Sequence, residues 1–291
     1  MLYCNIKEAF YAQDVIYSLC TCPLRCRCHL AGGALGRYLL GYFIAMISVK
    51  QLSVGYDRRA VAMPVDGCFA TGSLTAIIGA NGAGKSTLLK TLAGLQTAVA
   101  GDISFDGEGG SAKRPRMAYL PQQAELDRAF PISVFDLVAM GCWPQSGLFG
   151  GISRRSARLV AEALDTVGMS AMAHSPVGDL SGGQLQRTLF ARLLIQQAPL
   201  IMLDEPFTGI DSQTIELLLK VIAQWHREGK TVIAVLHDIS MVARHFPQVL
   251  YLSTERNIWG STDHVLNHFP NRTHACVSTE TFSLAAGVTA S

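Results

Sequence analysis

Between residues 46 and 253, short apolar runs alternate with longer stretches whose apolar residues recur at helical spacing. The runs at residues 73–78, 200–203, 231–236 and 249–252 are too short for helices and predict buried strands. Residues 47–54, ISVKQLSV, alternate apolar and polar positions and predict a first strand. Ile215, Leu218, Leu219, Ile222 and Trp225 fall on one helical face that follows a cap at Asp211 and stops at Gly229. Strands separated by helices in this way predict a parallel sheet covered by helices. Residues 122–180 contain no such strand, and helical segments at 134–140 and 156–167 predict an inserted helical subdomain. No internal repeat is present, so the chain carries one set of motifs.

Composition narrows the class. A 31.4 kDa chain that is 49% hydrophobic has apolar material for one substantial core and a small inserted unit. A net charge of +2 with 16% charged residues provides no basic field for DNA or RNA. Of the eight cysteines, Cys4, Cys20, Cys22, Cys26 and Cys28 precede residue 46, and Cys68, Cys142 and Cys276 are dispersed, which is reduced, cytosolic usage. The Cys20 to His29 cluster lacks paired C-x2-C spacing and is not read as a zinc site. Residues 30–49 are largely apolar apart from Arg37 and long enough to suggest a membrane anchor, but they run directly into the first strand. Residues 1–45 are therefore read as an extension preceding a working start at Met46.

The chemistry lies in three short motifs. Residues 79–87 read GANGAGKST, and Gly79, Gly84, Lys85 and Ser86 satisfy a Gly-x4-Gly-Lys-Ser spacing. Glycines at 79, 82 and 84, with Ala80, Asn81 and Ala83 between them, let backbone N–H groups converge on phosphate oxygens. A helix beginning near Lys85 turns its positive end toward the same anion. Lys85 is placed for the β- and γ-phosphates, Ser86 for Mg2+ and Thr87 for a further phosphate contact. Asp204 ends an apolar strand, where a carboxylate can hold Mg2+. Glu205 follows at once and points to the opposite side, where it can orient and deprotonate water. Residues 180–184 read LSGGQ: Ser181 offers a hydroxyl, Gly182 and Gly183 offer N–H groups, and a helix from about Gln184 aims its dipole at an anion.

Taken in this order, the motifs resemble those of the nucleotide-binding subunit of an ABC transporter, over residues 46–253. The resemblance implies an α/β fold with a RecA-like P-loop NTPase core, a mostly parallel sheet, the helical subdomain at 122–180 and a small antiparallel β part. Residues 254–291 form a tail in that scheme. By resemblance Glu205 is the catalytic base and His237 the switch histidine that contacts the γ-phosphate and Glu205. Gln122, in Tyr119-Leu-Pro-Gln, ligates Mg2+ and links the core to the helical subdomain, with Gln123 the adjacent alternative. Tyr56 stands where an aromatic stacks on adenine; a core or surface tyrosine is the competing reading. The anion met by Ser181, Gly182, Gly183 and Gln184 is the γ-phosphate held by a second copy, so ATP joins two chains head to tail. Asp211 marks the dimer-spanning loop, a helix N-cap, or both.

The segments at residues 119–141 and 203–211 resemble the ATPases of bacterial zinc and manganese importers, with zinc the first choice and manganese the second. Iron-chelate or other small-solute importers are the alternative, and a soluble non-transport ABC ATPase lacks its expected coiled-coil insertion or second cassette here. The resemblance implies separate permease subunits, indirect service to a periplasmic or surface metal-binding protein, no nucleic acid, and a peripheral position on the cytoplasmic face of the inner membrane. His264, His268, His274 and Cys276 are loosely spaced candidates for a regulatory metal site.

Overall fold

The computed structural model describes residues 45–56, 59–105, 114–122, 130–143 and 152–268. The elements, in chain order, begin with β1 (Ala45–Ser53), β2 (Gly55–Tyr56), β3 (Arg59–Ala60), β4 (Val65–Ala70) and β5 (Leu74–Gly79). There follow α1 (Lys85–Ala93), β6 (Ala100–Phe105), β7 (Met117–Leu120), α2 (Val134–Ala139), α3 (Arg154–Thr166) and α4 (Gly182–Gln196). The chain continues with β8 (Leu200–Asp204), α5 (Ser212–Arg227), β9 (Thr231–Val235), α6 (Ile239–His245), β10 (Gln248–Leu252), β11 (Ile258–Ser261) and α7 (Thr262–Asn267).

Six strands form the central sheet in the order β11-β10-β5-β9-β8-β7, parallel except for β11. Its middle strands are apolar on both faces because both faces are covered. Leu74, Ala76 and Ile78 of β5 pack with α2 to α6, whereas Ile77 packs with Leu88, Leu89 and Leu92 of α1. That second layer also holds Ile47, Leu52 and Phe69 from an antiparallel sheet of order β4-β1-β6. The fold is the expected α/β P-loop type, with its small antiparallel part in place.

Four details differ from the sequence pattern. The alternation in β1 is interrupted by a bulge between Val49 and Leu52, where Gln51 takes φ 47° and its N–H donates to Asp66 Oδ1 at 2.8 Å. Helix α3 begins at Arg154 because Ser153 caps it, its hydroxyl accepting from Ser156 N at 3.1 Å. Helix α4 lies against α2 and α3, so the helical region continues past residue 180 and reaches the sheet through α4. Beyond Ser253, β11 pairs with β10 and Val265 of α7 is fully buried, so the core extends into the expected tail. Residues 1–44 and 269–291, including Cys20 to His29, lie outside the described residues.

Trp225 of α5 is fully buried and stacks on Phe190 of α4, ring centroids 5.7 Å apart and planes nearly parallel. Trp225→Ala removes the largest fully buried side chain among the described residues and leaves a cavity between the two helices. It is expected to lower the unfolding free energy by about 3–5 kcal/mol, measured by urea denaturation; a loss below about 1 kcal/mol contradicts this packing.

Candidate nucleotide site

Strands β5, β8 and β9 end at the same edge of the sheet and bring three separate motifs together. From β5 the chain enters the 79–87 loop and turns into α1 after Gly84, whose φ of 86° is left-handed. Gly79 lies so close to β10 that a Cβ there would stand 2.3 Å from Leu252 O. Lys85 folds back over the loop and donates to Gly79 O and Ala80 O, both at 2.9 Å. Burial lowers the pKa of its ammonium from the usual range, and Glu205 and Asp204 oppose that shift.

Asp204, at the end of β8, has no solvent-exposed surface. It accepts from Ser86 Oγ at 2.7 Å and from the Tyr119 hydroxyl at 3.4 Å. Burial raises its pKa from the usual carboxyl range, against the Ser86 hydrogen bond. An oxygen cluster of one buried carboxylate and a serine hydroxyl has the donor chemistry of a small hard cation.

Glu205 turns the other way and has a left-handed φ of 49°, unusual for a residue with a side chain. Its N–H donates to Val235 O at 3.2 Å, fastening the turn to β9. One carboxylate oxygen meets His237 Nε2 at 2.6 Å, and the other accepts from Gln122 Nε2 at 2.7 Å and Thr208 Oγ1 at 3.3 Å. The two neighbouring acids thus serve different partners, Asp204 the phosphate-loop serine and Glu205 the residues at the rim. Gln122, the expected Mg2+ ligand, meets Glu205 through its amide nitrogen. Gln123 lies outside the described residues.

Ser181 and Gln184 form a capping box at the start of α4: Ser181 Oγ accepts from Gln184 N at 3.3 Å, and Gln184 Oε1 accepts from Ser181 N at 2.9 Å. The N–H groups of Gly182 and Gly183 lie in the first helical turn, where the helix itself supplies no acceptor. This turn abuts the 209–214 segment, with the Cβ position of Gly183 3.1 Å from Asp211 Oδ2. Asp211 caps α5 through Thr214 N and Thr214 Oγ1, both at 2.8 Å, and these hydrogen bonds hold its carboxyl below the usual range. Tyr56 is 54% exposed, and its hydroxyl lies 3.5 Å from Thr87 Oγ1.

The His264 and His268 rings lie tilted to each other with centroids 4.4 Å apart. His274 and Cys276 lie outside the described residues, and among the described residues no group of three or more His, Cys, Asp or Glu could hold a metal. Sequence reading missed Thr208 and Tyr119 as partners of the two acids, although both sit inside motifs singled out for other residues.

The ABC transporter family model matches residues 62–208. The manganese transport system ATP-binding protein of Listeria innocua is 40% identical over 207 residues, 71% of this chain and 86% of that protein. The zinc transport system ATP-binding protein of Treponema pallidum is 39% identical over 207 residues, covering 71% of this chain and 78% of that one. A solved ATP-binding subunit of an ABC transporter superposes with a TM-score of 0.65 at 26% identity, over 76% of this chain and 92% of its own. The chain belongs to the ABC transporter family. No helix among the described residues is long and apolar enough to cross a membrane.

Gly79→Ala places a methyl group against Leu252 O, so β5 and β10 must part. A loss of about 3 kcal/mol is expected. Gly82→Ala, whose new methyl meets nothing within 4 Å but keeps φ at 80°, costs about 1–2 kcal/mol. Urea unfolding of the two variants checks the ranking, and equal losses contradict it.

Proposed function

We propose that this chain hydrolyses ATP to energise a membrane importer of zinc, with manganese the second candidate. The observation that carries the reading is the Asp204–Glu205 pair: one carboxylate joins the phosphate-loop serine, and its neighbour reaches His237 and Gln122. Such a division suits phosphoryl transfer, in which catalysis consists of positioning and electrostatic stabilisation.

In this reading the 79–87 loop and the N-terminus of α1 bind the phosphates, with Ala80, Asn81, Gly82, Ala83, Gly84 and Thr87 supplying N–H groups. Lys85 exchanges the carbonyls of Gly79 and Ala80 for the β- and γ-phosphate oxygens. Ser86, Asp204 and the carbonyl oxygen of Gln122 would hold Mg2+, which when bound neutralises phosphate charge. Tyr56 stacks on adenine. Glu205 takes a proton from water as that oxygen bonds to the γ-phosphorus and the bond to the bridging oxygen breaks, giving ADP and phosphate. His237 orients Glu205 and faces the γ-phosphate. The N–H groups of Gly182 and Gly183, with Ser181 and Gln184 shaping their helix end, meet the γ-phosphate bound by a second copy, and Asp211 lies at the same junction. ATP then bridges two chains, and hydrolysis releases them.

The kinship with manganese and zinc transport ATPases supports one of these two ions as cargo. The chain would work at the cytoplasmic face of the inner membrane, docked to separate permease subunits through its helical region. A metal-binding protein outside the membrane would deliver the ion to those permeases.

Glu205→Gln keeps the side chain's size and removes its basicity. ATP should still bind while turnover falls by about 10²- to 10⁴-fold; near-normal hydrolysis would exclude Glu205 as the base. In a deletion strain, the wild-type chain should restore uptake of labelled zinc and Glu205→Gln should not. Restored uptake of manganese alone moves the cargo to manganese, and restoration of neither ion overturns the importer reading.

A further inference from the structure

The segment that follows the Tyr56 hairpin is tied to the turn between β10 and β11 by one side chain outside the motifs. Strand β10 runs beside β5, pairing Leu252 with Gly79, so its end already defines the start of the phosphate loop. The chain then turns over residues 253–257. Asn257 Oδ1 accepts from Ser253 N at 3.2 Å, which holds the asparagine within its own turn. Its Nδ2 donates to Met63 O and Pro64 O, each at 3.1 Å, from the segment that follows the β2–β3 hairpin. Two residues on, Trp259 packs on Gly67, where a Cβ would lie 2.9 Å from the indole, and edge-on to Phe69 at 4.7 Å. The chain is thus braced on β4 just beyond Asn257.

The tied segment leads to the nucleotide site in two short steps. Val61 N donates to Val54 O at 2.9 Å, closing the base of the hairpin that bears Tyr56. Val61 and Ala62 rest on Gly84 at the head of α1, at 3.0 and 3.3 Å from its Cβ position. Met63 and Pro64 are exposed and lie outside the strands, and Asn257 fixes both of their carbonyls.

We propose that Asn257 is a positioning residue for the base end of the nucleotide site: by fixing residues 63 and 64 it holds the Tyr56 hairpin over the phosphate loop and sets the affinity for ATP. The inference rests on the reading of Tyr56 as the adenine platform. Asn257→Ala removes the donor; Asn257→Asp keeps the acceptor for Ser253 N and sets an oxygen against the two carbonyls. Both should weaken ATP binding and raise KM, by about 3- to 10-fold for the alanine variant and at least as much for the aspartate variant. Turnover at saturating ATP should hold within about twofold, and affinity for tripolyphosphate, which has no base, should be unchanged. The double variant Tyr56→Ala/Asn257→Ala should bind ATP no more weakly than Tyr56→Ala alone.

Weakened ATP binding in Tyr56→Ala with normal binding in Asn257→Ala overturns the proposal and leaves the Tyr56 reading standing. Normal ATP binding in Tyr56→Ala overturns that reading and the proposal with it. Equal loss of ATP and tripolyphosphate in Asn257→Ala, or losses that multiply in the double variant, also overturns it.

Discussion

The parallel register of β5, β9 and β8 is the constraint on which the site depends. Ile77 pairs with Val235, and Val235 pairs with Asp204, so the phosphate loop, the two acids and the approach to His237 leave the sheet at one level. A one-residue slip of β8 would exchange its faces and turn Asp204 away from Ser86. The hydrogen bond from Glu205 N to Val235 O then fastens the next residue in its left-handed conformation, a local cost of roughly 1–3 kcal/mol. Buried strands on both sides offset that cost, and the two carboxylates face different partners as a result.

The same edge connects to the helical region. Gln122 links β7 to Glu205, and Gln186 of α4 donates to Pro206 O at 2.7 Å, beside the same acid. Asp211 and Thr214 lie against Gly183 at the head of α4. The helical region therefore contacts the surroundings of Glu205 in two places, through Gln122 and through residues 206–214. A subunit docked on that region would have a short route to the Glu205 carboxylate.

Much of this was legible in the sequence because it is local. A glycine-rich loop, a strand-end Asp-Glu pair and a capped helix each occupy a few consecutive residues, and the all-apolar strands announce a sheet covered on both faces. What escaped is long-range or brief. Gln122 and Glu205 are 83 residues apart, and no spacing rule joins them. The Ser181 to Gln184 spacing does signal a capping box, which the adjacent glycines and their phosphate chemistry obscure. Strand β11 is only four residues and follows a charged turn, which hid the extension of the core. Asn257 looks like any turn asparagine, because its targets lie 193 and 194 residues earlier.

One composite site shared by two copies is the central claim, and sedimentation of the Glu205→Gln protein with Mg-ATP tests it most directly. It should run as a dimer with ATP and as a monomer with ADP. Adding Ser181→Arg sets a cation and a bulky side chain where the partner's γ-phosphate must arrive, and should leave it monomeric while each copy still binds ATP. A Glu205→Gln protein that stays monomeric with ATP bound, or one that still dimerises with Ser181→Arg added, would contradict the shared site.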